Sequence, residues 1–461
     1  VYWHEFPLCM PSTTMQLRPA CRRSPSCAST SSRCSSTESL VSTPTAWPSC
    51  STADGWLSLG SGTVRWSSQV VHVDRVEEAL TLKSDECLRG TTWRSLMHNC
   101  GKIFATSAGT AADFDLSAPV GELDFFVSHV WSTSRYKKLL ALLMHRNMMP
   151  FLVVRFLQFP IAVCMTWLWP TFNNAWAMNI VDVVSGLTLL FWHELDCFAG
   201  HNVFLDKACI SQTDAEMKRQ GVWSLPAILL RSKTLVVLYS DAYLERLWPV
   251  YEIATFLLMK PQGRVDILPV DVMVVVTAYS VAICSMPMSW PASYQLKLML
   301  ASCVVTLPVV AWLLHLGSDV HRRIRSSFNN FDVNEVGCKY ECDRAGIFEN
   351  IDAFVKHSGH VPPDASQEES LAEFNHLVHT LLPRLFDASV GGAGIVPFWV
   401  AVVHFVPSML TWRDHESASF NSAVFRGQVV IVFFLINPLG VAVGARIARA
   451  CVELKGVRFF F

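Results

Sequence analysis

A chain of 461 residues with 51% hydrophobic and only 16% charged residues, and a mean hydropathy of +0.31, is too apolar for an ordinary soluble protein, so membrane insertion is the expected explanation. The formal net charge of −1 supplies no field that would draw nucleic acid or another strongly charged partner. Fifteen cysteines, scattered without even spacing and many inside apolar runs, argue against a secreted disulfide scaffold and read as small buried hydrophobes in a reducing compartment.

Residues 1–75 are rich in Ser, Pro and Cys and lack periodicity, so this N-terminus is expected to be disordered. The start at Val1 rather than Met reads as a fragment or a mis-set start, and the terminus gives no evidence of secretion. Residues 76–119 read as weakly structured, with a helix from Asp74 to Leu88. The stretch from Leu123 to Trp131 reads as a strand over Asp124 to Val127 that ends in a polar loop. An amphipathic segment follows, with Tyr136, Leu139, Leu140 and Leu143 on its apolar side.

From His201 to Pro269, three short apolar runs (Val203 to Leu205, Leu235 to Tyr239 and Val265 to Leu268) alternate with two helical segments, the pattern of parallel strands joined by crossovers. The first helical face carries Val222, Leu225, Ile228 and Leu229, and the second Val250, Ile253, Ala254 and Leu257. Pro249 is expected to open the second helix with Trp248 at its cap. Glu252 then falls in the first turn, where the helix dipole favours a carboxylate by ~0.3–1 kcal/mol. Asp206 and Asp214, on either side of the loop after the second strand, read as turn and cap residues.

Six nearly uncharged runs, 150–169, 175–192, 272–288, 298–316, 395–412 and 427–445, each approach the ~20 residues that cross a ~30 Å hydrocarbon core as a helix. They pair into three hairpins that leave every longer polar segment on one face. Arg135, Lys137, Lys138, Arg146, Arg322, Arg323, Arg325, Arg446 and Arg449 lie on that face and assign it to the cytoplasm. Arg155 and Asp182 fall within spans and leave a transport or channel role open. The segment 318–394 carries two helices. One is capped by Asp343 and presents Ile347, Ile351, Phe354 and Val355. The other opens on a Ser366/Glu369 capping box ahead of Leu371, Phe374, Val378, Leu381 and Leu385. Their faces call for each other or the sheet as partner. Gly391 to Gly394 reads as a hinge, and 446–461 as a short cytoplasmic tail. Cys338, Cys342, His357 and His360 depart from zinc-finger spacing, and no metal site is assigned to them.

The acidic residue, strand and Ser-containing loop of Leu123-Asp124-Phe125-Phe126-Val127-Ser128-His129, the second strand with its loop, and the later Trp248-Pro249-Val250-Tyr251-Glu252 occur in an order that resembles the TIR (Toll/interleukin receptor) domain. The stretch FLDKACISQTD is also similar to the signature strand of the heterokaryon-incompatibility domain. The resemblance covers about 100 residues in two blocks, 120–149 and 193–270, and implies a flavodoxin-like parallel sheet with flanking helices, interrupted by the hairpin at 150–192. The expected whole is an α/β TIR-like domain combined with six transmembrane helices in a multi-pass membrane protein.

Many TIR domains cleave NAD, so the resemblance implies Glu252 as the catalytic residue, supported by Trp248. Ser128, His129, Trp131 and Arg135 would line the nucleotide site, and Lys207 to Gln212 would form a mobile loop over it. NAD is substrate here, and no resident cofactor is implied. Nicotinamide leaves a pyridinium as a neutral molecule, so one carboxylate beside the cationic sugar can serve without a general acid. The alternatives are a non-catalytic scaffold that self-associates through its TIR-like domain, and a channel or transporter regulated by that domain.

Overall fold

The computed structural model describes residues 75–168, 174–198, 200–284, 312 and 315–390. Its centre is a four-stranded parallel sheet: β1 (Leu123–His129), β2 (Val203–Phe204), β3 (Ser232–Tyr239) and β4 (Arg264–Pro269), in the order β2-β1-β3-β4. All four strands expected from the alternation of apolar runs and helices therefore share one sheet. Phe125 lies opposite Val203 on one side and Thr234 on the other, and Phe126 opposite Phe204 and Leu235. Leu235, Val236, Val237 and Leu238 are all buried. Helices on both faces of a parallel sheet leave its central strands no wet side, so a continuous apolar run is selected in place of alternation.

The sheet is flanked by α1 (Arg135–Leu168), α2 (Asn174–Phe191), α3 (Ala215–Trp223), α4 (Leu225–Leu230), α5 (Leu247–Met259), α6 (Val270–Cys284), α7 (Glu341–His357) and α8 (Gln367–Val390). The single helix read around Val222 to Leu229 is two, α3 and α4, broken at Ser224 with Pro226 at the start of the second. Proline has no N–H to continue the α3 ladder and its ring favours a new helix start. Asp214 caps α3, accepting from the Met217 backbone N–H at 2.8 Å. The capping box at α8 is present, with Ser366 and Glu369 exchanging backbone N–H bonds at 2.7 and 3.2 Å. α7 and α8 pack against each other, α7 on α5 and α8 on β4. The Tyr251 and Phe354 rings stack at 6.3 Å, and the Ile267 backbone N–H donates to Ser389 Oγ at 3.1 Å.

Among the described residues no helix is long and apolar enough to cross a membrane, which overturns the six-span architecture and the multi-pass membrane placement. The described part of the run 150–169, through Leu168, is the second half of α1, whose first half carries Arg135, Lys137 and Lys138 and buries Ala141, Leu142 and Met144. The run 175–192 is α2, 18 residues interrupted by Asn179 and Asp182, which packs back on α1; Asn147 donates to the Leu189 carbonyl at 2.7 Å. The described part of the run 272–288, through Cys284, lies in α6. Val270, Val272, Val275 and Val276 of α6 are buried. These α6 residues thus pack protein against protein, whereas Val153, Leu157, Leu168, Val183, Val184, Leu187, Leu190 and Phe191 on the α1–α2 hairpin are exposed. The runs 395–412 and 427–445, most of 298–316, the hinge at Gly391 and the tail lie outside the described residues, as does the N-terminal segment through residue 74.

Phe126, 1% exposed and stacked on Phe204 at 4.7 Å, joins β1 to the edge strand β2. Replacing it with Ala is expected to lower unfolding free energy by about 3–5 kcal/mol, read as a shift of the urea midpoint with unchanged slope.

Candidate functional site

Ser128 and His129 are the last two residues of β1, not loop residues: the ladder to β3 continues through Ser128↔Val237 and His129↔Leu238. Asp206 follows β2 after one residue, Leu205, and opens a single helical turn, Asp206–Cys209. Tyr243 lies in the turn after β3, and Glu252 on the helix that follows it. These groups converge at the carboxyl ends of the parallel strands, around the β1–β3 pair on either side of which the strand order reverses, the place where open α/β sheets present their crevice.

α5 begins at Leu247 with Arg246 at its cap, two residues earlier than the proline suggested, so Glu252 falls beyond the first turn and does not serve the helix dipole. Its Oε2 accepts from Ser128 Oγ at 2.5 Å. Ser128 Oγ in turn lies 2.6 Å from Tyr243 Oη, which also reaches the Pro249 carbonyl at 3.3 Å. Glu252 is a half-buried residue whose carboxyl is crowded by protein, and that burial pushes its pKa up to about 8. The Ser128 hydrogen bond opposes the rise and the Asp206 carboxylate adds to it. The Tyr243 phenol is held well above its usual range, first by burial and then by Glu252.

A second group of charges stands beside this pair. Asp206 accepts from Trp131 Nε1 at 3.1 Å and from the Lys207 backbone N–H at 2.7 Å, and burial raises its pKa against those bonds. Lys138 is fully buried, with Nζ 5.1 Å from the Trp131 ring centroid and 3.5 Å from the Trp131 carbonyl. Burial lowers its pKa to about 8, while Asp206 favours its charge. His129 sits edge-on to Trp131 at 4.5 Å and Phe104 at 5.6 Å; burial, then Lys138, hold it well below the usual range and therefore neutral. Its Nε2 is buried and meets no hydrogen-bond partner among the described residues.

The expected site residues thus divide. Glu252, Ser128, His129 and Trp131 gather at the strand ends. Arg135 turns its guanidinium over the ring of its neighbour Tyr136, 4.5 Å away, and Trp248 donates its indole N–H to Asp343 of α7 at 3.2 Å. The segment Lys207 to Gln212 is packed: Lys207, Ala208, Cys209, Ile210 and Ser211 are buried, and Lys207 Nζ donates to the carbonyls of Ile103 and Thr106 at 3.2 and 3.1 Å. Lys138 and Tyr243 were missed. For Lys138 a signal existed, because it starts the three-and-four spacing Lys138, Ala141, Leu142 that is the buried face of α1, whereas Tyr136 is exposed. Among the described residues no group of three His, Cys, Asp or Glu side chains is placed to hold a metal ion.

A carboxyl whose native pKa of about 8 exceeds its ordinary 4.5 holds its proton more tightly when folded. Its contribution to stability is complete below pH 4.5 and is lost as pH rises to about 8. Glu252→Gln removes that dependence. The variant is expected to gain on the native protein progressively through this window, reaching a plateau on the order of 1–3 kcal/mol above it, measured by urea titrations at a series of pH values.

No protein-family model matches the chain, and no curated protein or solved structure matches it.

Proposed function

We propose that this chain cleaves NAD at the bond between nicotinamide and ribose, with Glu252 as the catalytic carboxylate. The observation that carries the reading is the 2.5 Å contact between Ser128 and Glu252, which joins the end of β1 to α5 across 124 residues of sequence at the carboxyl edge of the sheet. A carboxyl raised to about 8 is predominantly neutral at neutral pH. The pyridinium cation of a bound dinucleotide favours the ionised form and displaces that proton. The glycosidic electron pair then leaves with the nicotinamide nitrogen, and Glu252 stabilises the positive charge that develops on the sugar. Water adds to the anomeric carbon and releases one proton, giving ADP-ribose and nicotinamide.

Incubation with NAD and measurement of nicotinamide is the direct test. Glu252→Gln is expected to lower release by about 10²–10³-fold, the scale of removing one group that stabilises transition-state charge. Because the proton must leave Glu252, kcat/KM should rise with pH and level off above about 8. Undiminished release by Glu252→Gln would refute the assignment. Absence of release from native protein at every pH and at concentrations that drive clustering would leave the self-associating scaffold as the better account.

A further inference from the structure

The Ser128 hydroxyl stands between Glu252 Oε2, 2.5 Å away, and Tyr243 Oη, 2.6 Å away. A hydroxyl has one proton to donate and lone pairs to accept with. When Glu252 is ionised it can only accept, so Ser128 donates to it and accepts from the Tyr243 hydroxyl through one of its own lone pairs. When Glu252 is protonated the order can reverse: Glu252 donates to Ser128, Ser128 to the Tyr243 oxygen, and Tyr243 to the carbonyl of Pro249 at 3.3 Å. Pro249 thus supplies the end acceptor that the reversed chain needs.

We propose that Tyr243, Ser128 and Glu252 form a hydroxyl relay whose hydrogen-bond direction follows the ionisation of Glu252, making Tyr243 a positioning residue for that carboxylate. Its value to catalysis rests on the NAD-cleaving reading; the relay itself does not. The two directions share the two short contacts but are unequal, since only the chain toward an ionised Glu252 contains a charge-assisted bond, whereas the reversed one adds just the long contact to Pro249. The buried phenol keeps its proton throughout and so remains available as a donor. The net effect of Tyr243 is to favour the ionised carboxylate.

The remaining groups that face Glu252 do not supply this donor. Asp206, after β2, opposes ionisation by its charge, and Lys138 of α1 is directed at Asp206 and Trp131. His129, next along β1, is neutral and lies against Trp131 and Phe104. From α7, Asp343 accepts from Trp248 and Asn350 donates to Tyr251. Only Ser128 donates to Glu252, and only Tyr243 stands behind Ser128, among the described contacts.

The test follows the carbonyl infrared band of the neutral Glu252 acid, assigned by its loss in Glu252→Gln, as a function of pH in the full chain. Tyr243→Phe keeps the ring and is expected to raise the midpoint by about half to one pH unit, the equivalent of one hydrogen bond. Ser128→Ala should raise it further, and adding Tyr243→Phe to Ser128→Ala should move it no more, because the connection is already cut. An unchanged midpoint in folded Tyr243→Phe, or equal increments with and without Ser128, overturns the relay. If Tyr243→Phe does not fold, an unmoved midpoint in Ser128→Ala overturns it alone. Nicotinamide release is measured in parallel. A moved midpoint without release in the native protein retains the relay and rejects NAD cleavage; release with an unmoved midpoint does the reverse.

Discussion

The hydrogen bond from Ser128 to Glu252 is the constraint around which the rest of the site is arranged. A carboxyl crowded by protein loses the solvation that favours its charge, and one without a hydrogen-bond partner would be costly in either protonation state. Ser128 reaches it because β1 is paired on both sides, with β2 and β3, which fixes the height of its last residues relative to the turn that carries Tyr243. α5 reaches it because Val250, Ile253 and Ala254 are buried in the domain core, leaving Glu252 turned to the strand ends. A parallel sheet covered on both faces has little room for polar chemistry except at those ends.

Next to that bond, Lys138 and Asp206 are each penalised by burial and each favoured by the other. Such a pair contributes less to stability than its Coulomb attraction implies, because desolvation offsets much of the gain. Its effect here is on the neighbours. Asp206 raises Glu252, Lys138 lowers His129, and Trp131 is fixed by its indole bond to Asp206 with Lys138 near its ring. The site therefore contains an acid held protonated and a histidine held neutral, each chiefly by burial and only then by one member of this pair, beside an aromatic ring held by its bond to Asp206.

The sheet was legible in the sequence because buried parallel strands and their crossovers write continuous apolar runs separated by helical spacing, and Leu235 to Tyr239 is such a run. Ser128, His129, Trp131 and Glu252, expected together from the order of motifs, lie together at the strand ends. Trp248 and Arg135 were not brought to the same place, since adjacency in sequence does not say which way a side chain turns: Trp248 finds Asp343 and Arg135 finds Tyr136. Tyr243 left no periodic trace, being a turn residue whose partner Ser128 lies 115 positions away. Lys138 was read only as one of the cationic residues that mark one face as cytoplasmic. Asp214 behaved as the cap its sequence context implied, whereas Asp206, read the same way, became part of the site.

The hydropathy reading went astray for a related reason, and the correction explains how the site coexists with a long interruption. A run of ~20 apolar residues is the same signal whether it meets lipid or protein. Between β1 and β2 the chain must cross over in any case, since parallel neighbours cannot be joined by a tight turn. It does so through α1 and α2. The first part of α1 performs the crossover helix's task, burying Ala141, Leu142 and Met144, and Asn147 then ties the returning α2 to it. Everything beyond Phe151 extends a connection whose two ends are already fixed, at His129 by the pairing with β3 and at Val203 by the pairing with Phe125. The lengthened hairpin therefore leaves the register of the strands untouched, and with it the distance between Ser128 and Glu252.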